Sequence, residues 1–326
     1  MKKTNILISF FLAGLIVSQV SAGEFEQRIE KNFKVKKGGT LYLDSDKGSV
    51  EVRSHAGEEV EVLVFLEADV RSQEQAQEWF DRFDIRFEHR GKDVEIIGEW
   101  LDRRSHRRNR LHVRYEIQVP EEYNLDVRTA GGGIKVTDLI GEVELKTSGG
   151  GISIGEIDGR VRAETSGGGI SLKRSTGEAY IHTSGGGIRL GEIGGSLDAK
   201  TSGGSISVDG VNGDLKARSS GGGLRLRNIN GNLTAKTSGG SILAELLKQI
   251  DKPMDLHTSG GGITLEVPPD FRADIDASTS GGRVYSDLPL TVRGTFGKSS
   301  LRGEINGGGK LVTLRSSGGN IEIRER

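Results

Sequence analysis

The sequence predicts an all-β chain whose larger part winds into a parallel β-solenoid (β-helix) of 18-residue coils. Three observations predict it. A Thr or Ser leading into glycines recurs at Thr129, Thr147, Thr165, Thr183, Thr201, Ser219 and Thr237, each step being 18 residues. A second glycine keeps the same period at Gly141, Gly159, Gly177, Gly195, Gly213 and Gly231. Between these two corners apolar and polar residues alternate, which is the period of a strand. One such unit cannot bury its apolar face, whereas stacked units bury it continuously.

Residues 1–22 read as a signal peptide. Lys2 and Lys3 make a positive start, an apolar run follows from Ile6 to Val17, and Val20-Ser21-Ala22 supplies the small residues a signal peptidase requires. Cleavage is expected after Ala22. The run is short for a membrane span of roughly 20 residues, and no second one follows, so no integral span is expected after cleavage. The expected location is the periplasm, with secretion or association with the cell surface as the alternatives. The chain has no Cys, so export brings no disulfides and no lipid-anchor cysteine.

Residues 23–128 read as a β-rich N-terminal capping region. Leu41, Leu43, Val50, Val52, Val60, Val62 and Val64 alternate as in strands, as do Val113, Tyr115, Ile117 and Val119. Arg71 to Phe83 reads as a short amphipathic helix carrying Trp79 and Phe80. Most of the bulky rings lie in this region, where they can close the open end of a solenoid.

Residues 129–326 form the predicted repeat region. Aligned by 18, one inward column reads Ile134, Ile152, Ile170, Ile188, Ile206, Leu224, Ile242, and another Val143, Val161, Ala179, Leu197, Leu215, Leu233. Ser175 alone interrupts the column Leu139, Ile157, Ile193, Val211, Ile229. Outward columns place Glu142 beside Arg160, Glu144 beside Arg162, Lys146 beside Glu164, and Asp198 beside Lys216, the favourable cross-strand arrangement. A basic column follows at Lys200, Arg218 and Lys236. About ten coils at 4.8 Å each would make a rod of roughly 50 Å. Later corners at Thr258, Thr279 and Ser316 are spaced more widely. A short helical insertion near 243–250 would account for the first of these longer steps. The charged C-terminal strand, Asn320 to Arg326, reads as an exposed edge.

Composition bounds the function. The formal net charge is −1, so nothing points to nucleic acid, and only 5% of residues are aromatic, as thin coils require. The glycine corners are not phosphate loops, because no Gly-Lys-Ser/Thr and no helix follow them. Gly151-Ile152-Ser153-Ile154-Gly155 matches a nucleophile-elbow pattern only by spelling, since Ser153 falls inside a strand and faces outward. Calcium β-rolls have Asp after the glycines, and this chain has Ile. His182 and His257 read as solvated outer positions. No column of acids suggests a lyase-like or hydrolase-like cleft. The expectation is therefore no enzyme, no cofactor, no metal and no catalytic residue. One segment stands apart: Arg103, Arg104, Arg107, Arg108 and Arg110 crowd one loop and could grip phosphate or sulfate on an envelope glycan or lipid head group.

The stretches "YEIQVPEEYNLDVRTAGGGIKV" and "NGGGKLVTLRSSGGNIEIRER", with the TSGGG ladder between them, resemble the bacterial putative-adhesin family of β-strand-repeat proteins. The resemblance implies a β-solenoid, export to the envelope and no established catalytic activity, and it brings no site residues. The resulting expectation is a non-catalytic, adhesin-like interaction or scaffold protein. Its partner would be an envelope protein, a glycan or an anionic envelope polymer. A polysaccharide-binding or polysaccharide-processing β-helix is the alternative.

Overall fold

Parallel pairing at a step of 18 residues organises the chain. Ile134 pairs with Ile152, Ile152 with Ile170, Ile170 with Ile188, and so on to Leu224 with Ile242. On the opposite side Val143 pairs with Val161, Val161 with Ala179, Ala179 with Leu197, Leu197 with Leu215, and Leu215 with Leu233. The computed structural model describes residues 16–21, 24–102, 110–292 and 297–326. Two long sheets face one another, and the inward columns between them are buried from Val35 to Ile323 as one cluster. The β-solenoid expected from the sequence is the fold.

Each corner has a physical cause. The leading Thr or Ser turns inward and is buried. Its hydroxyl donates to a glycine carbonyl of the coil below: Thr147 to Gly132 at 2.8 Å, Thr165 to Gly150 at 2.7 Å, Thr201 to Gly186 at 2.7 Å, Ser219 to Gly204 at 2.8 Å. A carbonyl that the ladder leaves unused inside the stack is thereby satisfied. The middle glycine lies against the backbone of the neighbouring coil. A Cβ on Gly150 would come within 2.2 Å of the Gly132 oxygen. The third position is looser, 3.1 Å for Gly151 to Gly169 O, and Ser205 and Ser241 occupy it in other coils. Close approach between coils, more than unusual dihedrals, selects the glycine. Ser175, the interruption in its column, is buried and donates to Gly159 O at 2.8 Å, doing at the second corner what the threonines do at the first.

Thr201 offers a direct measure of this ladder. Its hydroxyl also accepts from Gly204 N at 3.3 Å, and the residue is 2% exposed. Thr201→Val keeps the shape and orphans the Gly186 carbonyl, so it should cost about 1–3 kcal/mol by urea denaturation. Thr201→Ser, which imitates Ser219, should cost less. Equal losses in the two variants would remove the hydrogen bond as the cause.

The two ends depart from sequence order. At the N-terminal end, Gly39–Ser45 and Ser49–His55 form a further coil, with Ser45 level with Thr129 and Val50 level with Ile134. The Thr129 hydroxyl donates to Gly48 O at 2.9 Å, continuing the ladder. Asp93–Trp100 and Leu111–Pro120 stack beyond this coil, although they follow it in sequence. A coil of the repeat type therefore lies within the stretch that the sequence presents as irregular. The helix is Gln73–Phe80, capped by Ser72. Trp79 of this helix and Phe83 just after it each pack edge to face against Trp100.

The C-terminal end mirrors this arrangement. Lys310–Ser316 lies between Met254–Thr258 and Ala273–Thr279, and Ile321–Glu325 lies between Ile263–Val267 and Val284–Ser286. The hydroxyl ladder follows the spatial order, with Ser316 donating to Gly261 O and Thr279 to Gly319 O, each at 2.7 Å. The last strand is thus not the exposed edge that its charges suggested. Those charges alternate outward from a strand paired on both sides. The sheets end instead at Val284–Ser286 and Leu290–Val292. The expected helical insertion near 243–250 is also absent: Ile242–Leu246 is a strand and the residues after it turn. Leu246 still pairs, with Ile229, and Ile250 folds inward, so the extra residues of this coil bulge at the corner.

Candidate functional site

An open trough of about 710 Å3 runs along the outer face of the sheet that carries the second strand of each coil. Parallel stacking builds it from one outward column: Tyr42, Asp126, Glu144, Arg162, Tyr180, Asp198, Lys216. Glu142, Arg160, Glu178 and Asp214 line it alongside. Successive side chains stand about 4.8 Å apart along the rod, and the two tyrosines roughly 19 Å apart.

The 18-residue register is correct, but side-chain partners within it are chosen by reach. Arg160 Nη2 meets Glu142 Oε1 at 2.9 Å, as the columns predict. Arg162 turns from Glu144 to Glu164 on its own strand and lays its guanidinium 4.0 Å from the Tyr180 ring centre. Glu144 and Asp126 share Arg128, at 3.6 and 3.0 Å. These two acids are neighbours because the strand Tyr123–Thr129, ahead of the first glycine corner, joins the same column. Asp126 Oδ1 is buried without a hydrogen-bond partner. At the far end, Asn232 and then Lys252 hold the Asp214 carboxyl below its usual pKa. These exposed pairs contribute little stability singly. Together they present fixed carboxylates, guanidinium groups and two phenol rings in one line.

His182 is not a simple solvated position. Its ring lies 3.9 Å from the Tyr180 ring, and Nε2 is 3.5 Å from Asp198 Oδ1. Burial lowers its pKa more than Asp198 raises it. His257 is half-buried within the column that also holds Lys236 and Arg315. The predicted basic column is present in register, and Lys236 meets Asp255 at 2.5 Å. Ser153 is exposed within Ile152–Asp158, 3.4 Å from Ser171 Oγ, with no helix after it. Among the described residues no cluster of His, Asp or Glu has the arrangement of a metal site.

Of the arginine loop, Arg103, Arg104, Arg107 and Arg108 lie outside the described residues. Arg110 closes its base: its carbonyl accepts from Asp69 N at 3.0 Å. Among the described residues no helix is long and apolar enough to cross a membrane.

No curated protein matches the chain. A cell adhesion protein, described as putative, from Clostridium sporogenes is 14% identical, over 91% of this chain and 99% of its own, with a TM-score of 0.20. A putative adhesin from Bacteroides fragilis is 11% identical over 92% and 97%, with a TM-score of 0.36. A putative lipid binding protein from Parabacteroides distasonis is 12% identical over 90% and 96%, with a TM-score of 0.34. The Toastrack DUF4097 family matches residues 40–324, which takes in the early coil, the N-terminal strands beyond it and all of the glycine corners. The chain belongs to the Toastrack DUF4097 family.

Proposed function

We propose that this protein is a non-enzymatic, exported interaction scaffold of the cell envelope, adhesin-like, and that it holds an extended polar polymer along the trough. The observation that carries this reading is the column from Tyr42 to Lys216. An extended glycan or peptide laid along the rod meets a hydrogen-bonding side chain at each coil, and the tyrosine faces supply apolar contact at two points. Charged trough side chains are paired with opposite charges at Arg160–Glu142 and Arg128–Asp126, a pattern suited to recognition more than to acid–base chemistry. The apolar leader, Ile6 to Val17, supports export. The arginine loop is proposed as a second contact, for an anionic envelope polymer such as lipopolysaccharide.

The test places a photo-crosslinking phenylalanine analogue at Tyr180 in growing cells. An adduct in the envelope fraction is expected from this position and not from Leu243, which is on the outer face of the other sheet. Equal adducts, or none, would remove the trough as the contact. Recovery of the protein only from the cytoplasm would remove export. Serine at all five loop arginines should weaken binding to purified lipopolysaccharide about tenfold or more, a loss of ~1.4 kcal/mol. Unchanged binding would dismiss the loop.

A further inference from the structure

The strand Glu24–Lys34 is next to last at the N-terminal end of the sheet that contains Ile134–Val136, with only the short strand Ile16–Ser21 beyond it. On one side it pairs along its whole length with Glu59–Asp69. On the other, Ile16–Ser21 covers only Glu24 to Arg28. Removal of the leader, as proposed above, takes Ile16–Ser21 with it. The processed chain is then left with an eleven-residue edge, a template for a further strand.

We propose that in the processed protein this edge pairs antiparallel with the same strand of a second copy, about a two-fold axis at Ile29. The sequence is self-complementary in that register. Arg28 stands opposite Glu30, Gln27 opposite Lys31, Glu26 opposite Asn32, Phe25 opposite Phe33, and Ile29 opposite itself. Centring one residue earlier sets Arg28 against itself and Glu26 against Glu30. Centring two residues later sets Lys31 against itself and Arg28 against Lys34. Like charges directly opposite are destabilising, so the Ile29 register is selected against these.

Two features of the inner face favour the same pairing. Phe25, Ile29 and Phe33 are only partly buried at the open end of the core, with the Phe33 ring 6.4 Å from Phe87. A second copy extends the sheet over this end. Gln27 stands opposite Val17 of the leader strand, its Oε1 has no hydrogen-bond partner, and loss of that strand uncovers it. The Lys31 ammonium of the second copy, directly opposite, can donate to it.

The experiment uses the full-length gene and the protein purified after export. Intact mass should correspond to a chain beginning at Gly23, and light scattering should give two chains per particle. The chain has no cysteine, so single introduced cysteines report alone. Antiparallel partners lie about 4.5–5.5 Å apart between Cα atoms, within disulfide reach. Ile29→Cys should therefore oxidise to a covalent dimer. Asn32→Cys should not, because its two copies would be roughly 20 Å apart along the strands. Arg28→Glu should raise the dimer dissociation constant about tenfold, and Arg28→Glu with Glu30→Arg should restore it. A processed protein that is monomeric at micromolar concentration, or equal crosslinking at both cysteines, overturns the dimer and leaves export standing. A mass that retains residues 1–22 overturns export and, with it, the dimer.

Discussion

A chain ending at Gly309 should lose the C-terminal end of the solenoid. Val312, Leu314, Ile321 and Ile323 are each no more than 1% exposed, and their loss removes on the order of 6 kcal/mol of burial. The deletion also parts two pairs of strands that this segment bridges, leaving four strands each with a newly unpaired side. Arg315, which binds Asp276 at 2.6 Å and holds its carboxyl below the usual pKa, goes as well. Limited proteolysis should then cut within 263–292 at protease levels the intact chain withstands, and the shortened chain should aggregate. Were the last strand an exposed edge, the deletion would shorten the rod by one coil and change little else. Retained protease resistance would therefore refute the interleaved order.

Gly186→Ala should be strongly destabilising for the addition of a single methyl. The added Cβ would lie 2.3 Å from the Gly168 oxygen and 2.3 Å from Gly169 N, both backbone atoms of the preceding coil. No side-chain rotamer can relieve that contact, so the coils must part, breaking ladder hydrogen bonds on either side. The expected loss is about 3 kcal/mol, read as a lower urea midpoint. Gly187→Ala, one residue on, meets nothing nearer than Ser205 O at 3.2 Å and should cost under about 1 kcal/mol. Comparable losses at the two positions would show that glycine is required there for chain conformation and not for coil contact.

The middle of the molecule was legible because each coil there contacts its sequence neighbours. Ile152 pairs with Ile170 for the same reason that it aligns with it, and the buried threonines, the glycine corners and the inward columns all repeat at 18. The trough was half legible. Its backbone register could be read from the columns, but Arg162 chose Tyr180 and Glu164 over Glu144 because a flexible guanidinium reaches along its own strand as easily as across. His182 points outward yet is half-buried for a related reason: an outward direction does not prevent burial when the neighbour is a tyrosine.

The sequence by itself determined the coil length, the pairing register, which columns face inward, and that glycine and threonine build the corners. All of these are local, nearest-neighbour properties, and periodicity expresses them directly. Only the tertiary structure decided the order of coils at the two ends. There Leu41 joins Leu125 and Ile321 comes between Ile263 and Val284. A strand with one buried face is equally satisfied beside any coil of matching register, so its own residues do not name its neighbour. Covering the two open ends of the core selects the interleaved order, and that is a property of the whole stack.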